Sequence, residues 1–107
     1  MLAKHKRVPV SRFHARPLKI ASGARLTLRY LGSADGEKRA AVLVPRGIAK
    51  NAVTRNRLRR LIFHALEAQW NELPPGDLVA VVKPGAARAA KEAFDEEVRE
   101  LSKRINS

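Results

Sequence analysis

The sequence predicts an α+β fold, a single small domain in which helices pack on one central β-sheet. At 107 residues with 45% apolar side chains, the chain has room for one hydrophobic core. Apolar residues alternate with polar ones in segments before residue 45, and a continuous apolar run occupies 77–82, which are both strand patterns. Two further segments, 51–66 and 87–105, carry apolar residues at helical spacing. We expect one domain over residues 1–107, with an irregular basic arm over 1–19 and an α/β sandwich over 20–107.

The strands follow from this patterning. Residues 25–31 alternate as a half-buried strand does, 32–36 are typical of a hairpin loop, and 39–44 form the expected returning strand. The apolar run at 77–82 indicates an inner strand that is covered on both faces. Residues 19–21 are a candidate start for a fourth strand. In the arm, Pro9 and Pro17 exclude one long helix and leave room for a short helical turn within 11–16.

Two helices complete the fold. The first is expected to begin at Asn51 or Thr54, since either side chain can cap a helix, and to end before the Pro-Pro-Gly run at 74–76. Its predicted inner face comprises Val53, Leu58, Leu61, Ile62, Ala65 and Leu66. The predicted apolar stripe of the closing helix comprises Ala87, Ala90, Phe94, Val98, Leu101 and Ile105.

Charge indicates the kind of partner. The chain carries +12 overall; residues 1–60 hold 16 basic and two acidic residues, whereas residues 61–107 hold six basic and eight acidic ones. So uneven a distribution favours binding to a polyanion, first of all a nucleic acid, with an anionic membrane surface as the alternative. The absence of cysteine excludes disulfides and cysteine zinc sites. No apolar run approaches the roughly 20 residues of a membrane span. The first residues are basic but no apolar stretch follows them, so the pattern of a secretory signal is missing.

The segment 46–60, RGIAKNAVTRNRLRR, concentrates this charge, with six basic residues and no acidic one. On a helix, Arg55 and Arg59 lie one turn apart, as do Asn56 and Arg60, so each pair projects from one edge. Guanidinium groups suit RNA because their planar fork bonds phosphate oxygens and stacks on bases. The alternative interpretation of this segment is a solvated basic helix face.

The same segment resembles a known family. Arg55-Asn56-Arg57 followed by Leu58-Arg59-Arg60-Leu61 is similar to the RNR signature of the bacterial ribonuclease P protein component. The similarity extends to 42–47 and 50–53 upstream, to 75–86 and the last helix downstream, and to Met1-Leu2, Lys4, Arg7, Pro9 and Phe13 at the start. The chain departs from the family in having Arg46-Gly47 where Lys-Lys is usual, Pro45 in place of Ser, and Arg16-Pro17-Leu18 where a second apolar or aromatic residue is usual.

The resemblance implies a four-stranded sheet with a left-handed β-α-β crossover formed by the RNR helix. It also implies a non-catalytic protein subunit in the cytoplasm, whose partners are ribonuclease P RNA and the 5′ leader of precursor tRNA. In the family, Mg²⁺ ions held on the RNA carry the chemistry. We therefore expect no catalytic residue, metal or cofactor on the protein alone, and neither a membrane nor DNA as a partner.

Carried over residue by residue, the resemblance assigns two sets of candidates. The set for catalytic-RNA binding comprises Arg46, Lys50, Arg55, Asn56, Arg57, Arg59 and Arg60. The set for leader binding comprises Phe13 as a stacking platform, Tyr30, Arg16 and Arg29. The alternative for Phe13 is a core position, and strand alternation leaves open whether Tyr30 points into the leader cleft or into the core. Four basic residues are candidates either for the electrostatic lining of this path or for plain surface charge: Arg12, Arg16, Arg29 and Lys83.

Rival functions fit the residues less well. A metal-dependent nuclease needs converging carboxylates or histidines, but His5, His14 and His64 are scattered and the acids crowd the last helix. A helix-turn-helix DNA-binding protein is disfavoured because a strand, and no partner helix, adjoins the basic helix. Another RNA-binding module, such as a ribosomal protein or an RNA chaperone, remains the alternative, since it would explain the charge equally well.

Overall fold

The computed structural model describes residues 7–32 and 35–106. Four strands and two helices follow one another along the chain: β1 (Lys19–Ser22), β2 (Leu26–Gly32), β3 (Lys38–Leu43), α1 (Ala52–Ala68), β4 (Gly76–Val82) and α2 (Lys91–Asn106). The described residues also form three short 3-10 turns: Val10–Arg12 before β1, Trp70–Glu72 between α1 and β4, and Ala86–Arg88 between β4 and α2. The basic start Met1-Leu2, Lys4 lies outside the described residues.

The strands form one four-stranded sheet in the order β1-β2-β4-β3. β1 pairs antiparallel with β2 and β2 antiparallel with β4, whereas β3 and β4 run parallel. Because parallel neighbours need a crossover connection, α1 carries the chain from the end of β3 back to the start of β4. The predicted α+β class, the fourth strand near residue 19 and the β-α-β crossover are all present.

The predicted hairpin between the second and third strands is wrong. β4 lies between β2 and β3, so these two strands do not pair with each other. Residues 33 and 34 of the expected loop lie outside the described residues. The physical reason is the continuous apolar run of β4, where Val79 and Ala80 are fully buried on opposite faces. An interior position in the sheet buries both faces of this strand, and it displaces β3 to the edge.

α1 and α2 cover one face of the sheet and enclose the main core. The sheet, α1 and α2 each contribute large, fully buried side chains to this core: Leu26, Leu28, Leu58, Ile62, Leu66, Val82, Phe94, Val98 and Leu101. Asn51 caps α1, its Oδ1 accepting the Val53 amide at 2.7 Å, as predicted. Val53 itself is 74% exposed, which corrects its predicted core position. Five residues at about 100° each place Val53 some 140° from Leu58, off the buried face.

The N-terminal segment, residues 7–18, covers part of the opposite face of the sheet. Val8 is buried there with Leu31, Ala41 and Val79, and Phe13 packs against the same cluster. Arg7 bridges Ala40 in parallel, which adds a short piece of backbone to the β3 edge. The helical turn expected within 11–16 is instead a 3-10 turn at Val10–Arg12.

α2 closes the fold. Four residues of its predicted stripe, Phe94, Val98, Leu101 and Ile105, are buried, whereas Ala87 and Ala90 precede the helix. Ala87 instead belongs to the 3-10 turn that follows β4. Neither helix of the described ranges has the length and apolar character that crossing a membrane would require.

Candidate nucleic-acid interface

α1 is fixed by one face and exposed on the other. Leu58, Ile62 and Leu66 are completely buried against the sheet and α2, and this packing fixes the orientation of the helix about its own axis. What we call the α1 cationic surface comprises Asn56, Arg59 and Arg60 on α1 together with Arg46 and Lys50 in the segment before it, all exposed except Arg59, which is half-buried. Of the two pairs that the helical spacing places one turn apart, Asn56 and Arg60 are both exposed, whereas Arg55 and Arg59 are both half-buried.

Two further arginines of the same segment have their guanidinium groups engaged by the fold. Arg55 donates through Nη1 to the carbonyl oxygens of Ala49, at 3.0 Å, and Lys50, at 2.7 Å. It thereby ties the turn before α1 to the first turn of the helix. Arg57 donates through Nη1 to the Ala87 carbonyl and through Nη2 to the Ala89 carbonyl, both at 3.2 Å. Both side chains are half-buried, and each holds a neighbouring loop.

The remaining contact within the segment joins Arg59 to Asn56. Arg59 Nη1 donates to Asn56 Oδ1 at 3.1 Å, across one helical turn. Every hydrogen bond described for the α1 arginines therefore ends on a carbonyl or amide oxygen, not on a carboxylate. A neutral acceptor leaves the guanidinium charge uncompensated, so these groups still attract anions.

Half of the ten acidic residues lie on α2. Glu92, Glu96 and Glu100 are exposed there, and Lys91 pairs with Asp95 at 2.7 Å across one turn. Glu97 instead faces inward, where its Oε2 accepts the backbone amides of Arg25, at 2.9 Å, and Leu26, at 2.6 Å. Five of the eight acidic residues after position 60 therefore lie on the last helix.

A second candidate region lies on the sheet face opposite the helices, and we call it the sheet-face region: Phe13, Arg16 and Arg29. Phe13 is half-buried and Arg16 is exposed. Arg29 donates to the carbonyl oxygens of Phe13, at 2.7 Å, and Ala15, at 2.9 Å. Ile20 pairs with Arg29 in register, so it lies on this face, and it is 60% exposed. The result is an apolar surface bordered by arginines.

Tyr30 lies elsewhere. It packs against the core on the helix side of the sheet, and its hydroxyl donates to the Pro75 carbonyl at 2.5 Å. The structure therefore joins Arg29 to the backbone of Phe13, leaves Arg16 exposed three residues further along the chain, and places Tyr30 on the other face. Lys83 is also engaged, since its Nζ donates to Ser22 Oγ at 3.1 Å and to the Gly23 carbonyl at 2.7 Å.

Asp77 is a residue that the sequence reasoning missed. Its side chain is 2% exposed, and it pairs with Arg12 on the N-terminal turn and with Arg39 on β3. The available signal was an acid at the start of an otherwise apolar inner strand, a position that demands a cationic partner. Arg12, a candidate for path lining, is thus tied to the body of the protein.

Metal ligation has no visible basis in the described part of the chain. Across 7–32 and 35–106, no three His, Cys, Asp or Glu side chains lie close enough together to hold a metal ion. The α1 cationic surface consists of guanidinium, ammonium and amide groups, which bind anions.

The family model and the related proteins that match this chain all point to one family. The family model described as Ribonuclease P matches residues 12–106. The ribonuclease P protein component of Synechococcus sp. (strain RCC307) is 36% identical over 90 residues, covering 81% of this chain and 71% of that protein. That of Brevibacillus brevis is 37% identical over 78 residues, covering 70% of this chain and 61% of that protein.

Solved structures agree on the fold. The RNase P protein of Staphylococcus aureus superposes with a TM-score of 0.80 at 13% identity, covering 94% of both chains. The RNase P protein from Thermotoga maritima gives 0.81 at 19% identity, covering 94% of this chain and 98% of that one. At these identities the likeness concerns the architecture alone.

Proposed function

The chain belongs to the family of bacterial ribonuclease P protein components, and on that premise we propose that it is the RNA-binding, non-catalytic subunit of the ribonucleoprotein. Family membership makes it part of an endoribonuclease complex in tRNA processing. The observation that carries the proposal is the α1 cationic surface, which belongs to a helix with one fully buried face and whose described hydrogen bonds end on carbonyl or amide oxygens. A ribosomal protein or an RNA chaperone is not favoured, because the family match covers residues 12–106.

The α1 cationic surface is the proposed contact with the catalytic RNA. Arg59, Arg60 and Lys50 supply positive groups that displace counterions from RNA phosphates, a gain that is largely entropic and falls with salt. Since Asn56 Oδ1 already accepts from Arg59, the Asn56 Nδ2 group remains to donate to a base edge or a ribose hydroxyl. Arg55 and Arg57 contribute by shaping the loops on either side of this surface.

The sheet-face region is the proposed contact with the 5′ leader of precursor tRNA. A partly exposed Phe13 ring offers a surface for one unpaired base, and such stacking is worth about 1–3 kcal/mol. Arg16 follows Phe13 by three residues and is exposed, so its guanidinium group is available to bind a leader phosphate. Tyr30 is not part of this proposal, because it faces the core.

The chemistry is proposed to belong to the RNA and its Mg²⁺ ions. Guanidinium groups keep their protons at any physiological pH, so the α1 cationic surface can bind and position phosphates but cannot deprotonate water. By reducing phosphate repulsion where substrate and RNA meet, these residues would lower the Mg²⁺ concentration that cleavage needs. Family membership also supports a cytoplasmic location.

Reconstitution tests the proposal. The purified protein alone should leave precursor tRNA intact, yet it should accelerate cleavage by a bacterial ribonuclease P RNA at low Mg²⁺. The matched control is a basic peptide of the same net charge, which should stimulate far less. Absence of stimulation, or specific cleavage by the protein alone, would contradict the proposal.

A further inference from the structure

Asp77 is the one charged side chain that is fully buried within the described residues, at 1% exposure. It stands on β4, on the same face as Val79 and opposite the helices. A buried carboxylate is costly unless it is paired and hydrogen-bonded. Its position beside the sheet-face region raises the question of what it holds in place.

Asp77 is satisfied by two arginines. Its Oδ2 accepts from Arg12 Nη1, and its Oδ1 accepts from Arg39 Nη1 at 3.3 Å. Arg39 also binds Asp35, and these hydrogen bonds raise the pKa of Arg39 while the same contact lowers the pKa of Asp35. Two carboxylates and two guanidiniums therefore form one neutral chain of contacts. Arg39 keeps a partner if Asp77 loses its charge, whereas Arg12 has no second carboxylate among its described contacts.

Arg12 connects this chain of contacts to the leader candidate. It is the last residue of the Val10–Arg12 turn and directly precedes Phe13. Beyond Phe13, Arg29 binds the carbonyls of residues 13 and 15. Before it, the Val8 amide donates to the Ala40 carbonyl at 3.1 Å. Phe13 therefore lies between two arginine contacts, and the one on its N-terminal side depends on Asp77.

We propose that Asp77 is a positioning residue for leader binding: through Arg12 it holds the 3-10 turn, and with it Phe13, in place on the sheet. This inference rests on the proposed role of the sheet-face region in binding the leader. Asp77 touches no RNA in this mechanism. It restricts the motion of the segment that carries Phe13. The conformational entropy of this segment is therefore lost during folding, and leader binding does not have to compensate for it.

The test compares two substrates. In the reconstituted complex, the Kd is measured for precursor tRNA with its leader and for the same tRNA without a leader. Asp77→Asn and Arg12→Ala should each weaken binding of the leader-bearing substrate by about tenfold, the equivalent of losing one stacked base. Binding of the leaderless tRNA should not change. The double variant should be no worse than the weaker-binding single variant, because both changes break the same contact.

Two further variants separate the possible outcomes. Glu97→Gln is the matched control, since it also neutralises an internal carboxylate that binds an arginine, but on the helix side; it should leave the ratio of the two Kd values unchanged. If Phe13→Ala leaves that ratio unchanged, the leader-binding role itself is wrong. If Phe13→Ala lowers leader affinity while Asp77→Asn and Arg12→Ala do not, or if these two weaken both substrates equally, the positioning role is wrong. Arg12 is partly exposed, so Arg12→Ala keeps the test decisive even if Asp77→Asn fails to fold.

Discussion

Arg57 and Arg60 lie three residues apart on one helix and act differently. The Arg57 guanidinium bridges two carbonyl groups of the loop between β4 and α2, whereas Arg60 is exposed on the outer side of α1. Their environments, and not their chemistry, separate an arginine that holds a loop from one that is proposed to bind RNA. The sequence alone could not separate them, because the loop that Arg57 contacts lies 30 residues away in the chain.

The two arginines should therefore respond oppositely to truncation. Arg57→Ala should lower the free energy of unfolding by about 1–3 kcal/mol, since two partly buried carbonyls lose their donor. Arg60→Ala should change stability by less than about 0.5 kcal/mol, as exposed sites do, yet weaken RNA binding. Urea denaturation and a filter-binding titration measure the two effects. Equal stability losses in both variants would contradict the assignment.

Asp77 shows a similar limit of prediction at the residue scale. An acid in an apolar strand indicates a partner but not which one. Arg12, which the sequence offered for path lining, turns out to be that partner across 65 positions. Tyr30 shows the opposite case: alternation along β2 left two faces open, and packing against the core decided between them.

At the scale of the element, α1 combines an electrostatically unfavourable first turn with a fully buried apolar face. Its first turn contains no acidic residue and includes Arg55, although the positive end of the helix dipole disfavours cations there. Asn51 and the buried leucines compensate. The same positive helix end adds to the field of the neighbouring basic residues, which suits an anion-binding surface.

Substitution of the cap tests this balance. Asn51→Ala should cost about 1 kcal/mol of unfolding free energy, because the Val53 amide loses its acceptor. Asn51→Asp should retain stability, since aspartate caps equally well, but it should weaken RNA binding by placing a negative charge beside Lys50. Thermal unfolding and RNA titration distinguish the two effects. An Asn51→Ala protein as stable as the parent would contradict the role of the cap.

Periodicity predicted the helices and strands but not their partners. The stripes of α1 and α2 follow from residues that recur near 3.6 positions, and Val53 was misplaced because a five-residue spacing leaves that face. Strand pairing has no such local signal. The neighbour relation of β3 and β4 arises because β4 buries both faces and α1 returns the chain, which a local pattern cannot express.

At the scale of the whole molecule, positive charge is concentrated before and within α1, whereas half of the ten acidic residues lie on α2. Arg46 and Lys50 precede α1, Arg60 is exposed on it, and Glu92, Glu96 and Glu100 are exposed on α2. The sequence predicted this division through its uneven halves, since residues 1–60 carry all but six of the 22 basic residues. What it could not give is the share of those charges that internal contacts engage, as in Arg12, Arg29, Arg39 and Arg57.

The most direct test of the central claim is the salt dependence of binding to ribonuclease P RNA. The double variant Arg59→Gln/Arg60→Gln is compared with Arg99→Gln/Arg104→Gln, which removes the same charge from α2. If the α1 cationic surface binds the RNA, the first variant should reduce the magnitude of the slope of log K against log salt by about two, and the second should leave the slope nearly unchanged. Equal slopes for the two variants would contradict the account, because binding would then depend on net charge and not on this helix.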